Sequence, residues 1–166
     1  MSGKNVDKKL VKIIDNFYIN VVDDFKEAEG IIINDSKFSN MFRKKDYDRN
    51  IRKLRDCKKK CISINVDGIS DDNDKVKERM LKDFERARYA FITVCDAHIQ
   101  LQSNLKSKSE GAKIKYSEYK EFYNRLQKAK NDLNSQLHEL DIDYTDYTYD
   151  ETESPYEFLS YSDINK

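Results

Sequence analysis

Four residues of types that ligate metals or attack substrates fall in two close pairs. Cys57 and Cys61 stand four apart, and Cys95 and His98 three apart. Either spacing puts both members of a pair on one helix face. Together they offer three sulfurs and an imidazole, a set that can hold zinc tetrahedrally. The test is whether the pairs meet. If the second and third predicted helices form a hairpin centred near Gly68, Cys57 lies opposite Met80. Cys95 is then roughly 22 Å farther along the axis at about 1.5 Å per residue. Ligands so placed cannot converge at about 2.0–2.3 Å. The cysteines are therefore expected to be small buried apolar residues, with no metal and no cofactor. A Cys57–Cys61 disulfide is disfavoured by helical spacing. His98 lies on an apolar stripe and is expected to be a core histidine with hydrogen-bonded nitrogens. His138 falls near the end of the fourth predicted helix, roughly 20 Å from it on a hairpin centred near Gly111.

Known catalytic patterns are missing. Di-iron bundles use Glu-x-x-His, but Cys95 precedes His98 by three and Ser135 precedes His138 by three. A phosphate cradle needs clustered glycines, and the four here (Gly3, Gly30, Gly68, Gly111) are at least 27 residues apart. The nucleophile elbow Gly-x-Ser-x-Gly is also absent. No catalytic residue is assigned, and the chain is expected to be non-enzymatic.

The elements that would position these groups are helices. Val76, Met80, Phe84, Ala87, Phe91, Val94, His98, Leu101 and Leu105 recur in steps of three and four, the α-helical period. Between Ala87 and Leu101 the apolar character spreads almost all round, through Tyr89, Ala90, Ile92, Cys95, Ala97 and Ile99. A helix apolar on most sides is covered on most sides. The predicted helices span about 5–29, 38–64, 73–106 and 117–140, with the third at the centre. Asn5 and Ser117 are candidate N-caps. Gly30 is expected just past the first helix, where glycine accepts positive φ, and Ile31–Ile33 as an extended plug over one end. Ile62, Ile64 and Val66 alternate and offer a short strand as the alternative to helix. Similar helix lengths and short loops predict an all-α, up-down four-helix bundle over 1–140, followed by an acidic, tyrosine-rich tail over 141–166.

Charge divides the chain. It has 166 residues, with 31 basic and 31 acidic side chains and no net charge. Arg43–Lys60 carries ten bases against three acids. Asp141–Lys166 carries eight acids against one lysine. The tail is expected to begin beside Lys58, Lys59 and Lys60 and to lie back along the second helix as a lid. No stretch approaches the roughly 18 apolar residues of a membrane span. Met1–Leu10 has no apolar run of signal-peptide length, and three cysteines suggest reduced thiols. A cytoplasmic location is expected.

These readings favour a protein that acts by binding another protein, as regulator, adaptor or inhibitor. Tyr144, Tyr147, Tyr149, Tyr156 and Tyr161 are the tail residues that would engage it, since tyrosine supplies contact area with a polar tip. The alternative is sequence-indifferent nucleic-acid binding on the second helix, where Arg49, Arg52, Lys53 and Lys60 share a face that can track phosphates.

Overall fold

The computed structural model describes residues 5–36 and 45–149. These residues are all-α, with no strand among them. Asp7 starts the first helix by accepting hydrogen bonds from the Lys9 and Leu10 amides. Helix α1 (Lys8–Asn16) passes through a π-helical turn (Phe17–Val22) into α2 (Asp23–Ser36) without leaving helical dihedrals. The three form one rod. Its wider middle turn lets the adjacent Val21 and Val22 both point inward. Helix α3 covers Tyr47–Ile62, α4 Lys75–Ser109 and α5 Tyr116–Thr148.

Core packing explains where the rods lie. Phe17 meets Phe84 and Phe91 edge-to-face, and Phe25 meets Phe91 and His98. Edge-to-face rings gain from the aromatic quadrupole as well as from burial. Phe84, Phe91, Val94, Leu54, Leu126 and Leu140 join the same buried cluster. Helix α4 packs against both α3 and α5. Its main stripe is buried at Met80, Phe84, Ala87, Phe91, Val94, His98 and Leu101, as its periodicity predicts.

Several boundaries differ from the sequence reading. Gly30 does not end a helix: α2 runs through it, because Phe25, Ala28 and Ile32 keep the three–four spacing and stay buried. Ile31–Ile33 is accordingly helical, not an extended plug. The first helix is capped by Asp7 rather than Asn5, and α3 by Asp46. Lys115, not Ser117, precedes α5, and it makes no side-chain cap bond. Residues 37–44 lie outside those described. Ile62 ends α3, and Ile64 and Val66 sit in a connector, not a strand.

The largest correction is at the end of α5. The sequence stops the helix near Leu140; the structure carries it to Thr148. Leu140, Asp143 and Tyr147 continue the spacing and are all buried. An aspartate on that stripe hides the period until its partner, Arg79, is known.

Candidate functional site

The expected distance between the cysteines is wrong. Lys58 pairs with Asp96 at 2.7 Å, Asp48 with Lys106 at 2.7 Å, and Asn50 donates to Gln102 at 3.2 Å. Helices α3 and α4 are thus antiparallel, with Cys57 level with Cys95 and not with Met80. The shift is some fifteen residues, or roughly 22 Å. It arises because the connector 63–74 is not a symmetric turn. It folds against the first turns of α4, where Lys77 Nζ donates to the Ser70 carbonyl at 2.6 Å. Arg88 fixes the other end of the connector by donating to the carbonyls of Cys61 and Ile64 at 3.1 and 2.8 Å. A cation there suits the negative end of α3.

Cys57, Cys61 and Cys95 are all buried and free. Burial raises the thiol pKa of each, to about 11 for Cys61, and the neighbouring thiols push Cys95 further up. Protonated thiols are poor nucleophiles. Among the described residues, no group of three or more His, Cys, Asp or Glu is arranged to hold a metal ion.

His98 is in the core, 3 % exposed. Its Nε2 lies 2.6 Å from Glu29 Oε2, and Glu29 Oε1 lies 3.1 Å from Lys130 Nζ. Burial opposes charge on Glu29, but the hydrogen bonds and charges of His98 and Lys130 outweigh it and lower its pKa. A carboxylate there makes Nε2 the donor. The buried Nδ1 has no partner among the described residues, where the sequence reading expected both nitrogens to be hydrogen-bonded. The cluster ties α2, α4 and α5 together. His138 is exposed, on the outer face of α5.

Helix α3 carries the predicted basic face, only part of it in ion pairs. Lys60 pairs with Asp24 at 2.6 Å and Lys58 with Asp96. Arg49 is half-buried, while Arg52 and Lys53 are exposed. The near part of the predicted tail also has other partners. Arg79 of α4 binds Asp143 at 2.8 Å and Asp146 at 2.9 Å. Asp141 accepts from Tyr18 at 2.7 Å. Tyr144 donates to Asp15, and the fully buried Tyr147 hydroxyl accepts from the Asp7 amide, both at 2.8 Å. Through Tyr147 the segment is thus built into α4 and the first rod. Tyr156 and Tyr161 lie outside the described residues.

Two surfaces on α5 complete the picture, and of their residues the sequence reading named only Tyr149 as a binding candidate. His138, Asp141, Ile142, Thr145, Asp146 and Tyr149 line an open concavity of about 500 Å³. Ile142 is 50 % and Tyr149 40 % exposed. Nearer the start, Tyr116, Tyr119 and Tyr123 form a ladder whose successive ring centres are 6.3 Å apart. Their spacing of three and four is the signal in the sequence that sets them on one face, and Tyr119 also packs its inner side on the core.

Comparison with protein-family models, with curated proteins and with solved structures finds no match to this chain.

Proposed function

We propose that the chain is a non-enzymatic, up-down four-helix bundle that works by binding another protein through the outer face of the last turns of α5. The bundle reading draws on three sets of contacts. The first rod meets α5 in reverse order (Asp7 with Tyr147, Glu29 with Lys130), α3 meets α4 in reverse order, and the first rod and α4 rise together. No described helix is long and apolar enough to cross a membrane. Three free buried thiols suit a reducing compartment, and we infer a cytoplasmic location.

The observation that carries the binding reading is the exposure of Ile142 and Tyr149 together on one helix face, beside Asp141 and Asp146. Apolar and aromatic anchors framed by charge are the usual make-up of a binding patch. Asp141, which accepts from the Tyr18 hydroxyl and has no ion pair among the described residues, favours a partner with a basic group beside an apolar socket. Affinity capture from the native cell with the whole chain should recover one stoichiometric protein. An Ile142→Asp/Tyr149→Ser variant of unchanged helicity should lose it. Recovery of the same proteins by both would refute the reading.

A further inference from the structure

The start of α5 differs in character from its end, and the difference points to a second ligand. Tyr116 is 75 % and Tyr123 44 % exposed, and Tyr119 between them is half-buried. The Tyr119 and Tyr123 rings are stacked at 26°, and Tyr116 is tilted by 36° to Tyr119. Exposed tyrosines placed three and four apart give a continuous aromatic rail along the helix. Cations accompany it. Lys113 and Lys115 lie just before Tyr116, and Lys120 lies between Tyr119 and Tyr123. All three are exposed and have no ion pair among the described residues. Of the two acids within the ladder's span, Glu121 is already paired with Arg125. Glu118 falls about 100° round the helix from Tyr119, opposite in sense to Lys120.

The geometry points to a single-stranded nucleic-acid site on this face, with Tyr116, Tyr119 and Tyr123 stacking bases and Lys113, Lys115 and Lys120 meeting phosphates. Any base has a π-face, so aromatic stacking with a cationic track gives binding that is indifferent to sequence. A duplex hides its base faces and cannot use the rail. An acidic protein could use the lysines but has little to stack. The site is separate from the proposed protein-binding face: Tyr119 and Thr145 lie roughly 39 Å apart along the helix. Either reading can fail alone.

The test is binding of the full chain to a labelled oligo(dT) longer than the roughly 4–16 nucleotides of known single-strand sites. Three lysines on phosphates give a slope of log K against log salt near −2. Affinity should therefore fall about 15–20-fold between roughly 50 and 200 mM salt. Tyr116→Ala/Tyr123→Ala should weaken binding at least about tenfold at an unchanged slope. Tyr116→Phe/Tyr123→Phe, which keeps both rings, should bind like the native chain. Lys113→Glu/Lys115→Glu/Lys120→Glu should flatten the slope. The proposal is overturned if no binding appears at about 50 mM salt, if the alanine pair binds like the native chain, or if duplex DNA or poly-Glu binds as tightly as oligo(dT).

Discussion

Asp83 and Asp143 set two carboxyl groups side by side between α4 and α5, at 7 % and 4 % exposure. Arg79 takes Asp143 Oδ1, and the buried Oδ2 has no fixed donor among the described residues. Arg86 reaches Asp83 at 3.6 Å. Burial, followed by hydrogen bonding to Asp143 and its charge, raises the Asp83 pKa to about 6; Arg86 opposes this and Glu139 adds to it. A proton on Asp83 supplies the donor that Asp143 lacks. A folded-state pKa above the unfolded value stabilises at low pH, and the contribution is lost as pH rises through the folded value. Asp83 thus favours folding fully below about pH 4 and ceases to do so above about pH 6. Asp83→Asn should raise stability at pH 7–8 by about 1–3 kcal/mol and remove this part of the pH dependence. Denaturant melts of both proteins at several pH values will show it; parallel curves would mean the pair is uncoupled. Lys77 is the contrasting case. It is only 2 % exposed, and burial alone would lower its pKa. Hydrogen bonds and charge from Asp7 at 3.1 Å and Asp72 at 3.2 Å raise it instead. Burial decides the shift where like charges meet, and partners decide it where opposite charges do.

Among the elements, α4 was the most legible, because nine residues of its stripe repeat without interruption. Its alignment against α3 was not. Periodicity fixes which face is buried but carries no information on how far one helix slides along another. The connector 63–74 decides that, and its anchors, Lys77 and Arg88, read in the sequence as ordinary charges on an amphipathic helix. The same blindness hid the two α5 surfaces, since a tyrosine on a helix edge looks alike whether it caps the core or faces solvent. Gly30 shows a local rule overridden by packing. Its neighbours Ala28 and Ile32 hold α2 together across it, and a Cβ added there would meet nothing within 4 Å. Glycine inside a helix costs about 0.5–1 kcal/mol relative to alanine, mainly through backbone entropy. Gly30→Ala should therefore stabilise the protein by about that amount, seen as a higher denaturation midpoint at unchanged slope. A loss of stability would mean that α2 does not continue through this position. Gly111 is different: it sits at φ 97° just past α4, where its amide donates to the Lys108 carbonyl, and the left-handed backbone requires glycine.

At the scale of the whole molecule, the first and last described helices close on one another. The Asp7 amide donates to the Tyr147 hydroxyl across 140 positions of sequence, and the Asp7 carboxylate caps α1 and pairs with Lys77. One aspartate thus joins the start of the first rod, the start of α4 and the end of α5. Tyr147 is the largest of the fully buried side chains, so it contributes in two separable ways. Its ring fills the end of the core, and its oxygen satisfies an amide of the chain entering α1. Tyr147→Ala removes both and should cost about 3–5 kcal/mol, the range for large aromatic deletions. Tyr147→Phe keeps the ring but strands the Asp7 amide, a loss of about 1–3 kcal/mol if water cannot reach it. Native stabilities are only about 5–15 kcal/mol, so the alanine variant should approach unfolding at ordinary temperature while the phenylalanine variant stays folded. Hydrogen exchange should place the added opening of Tyr147→Phe at the first turn of α1 and the last turns of α5. If both variants melt with the native protein, the end of α5 is not part of the core, and the boundary at Leu140 read from the sequence was the better one.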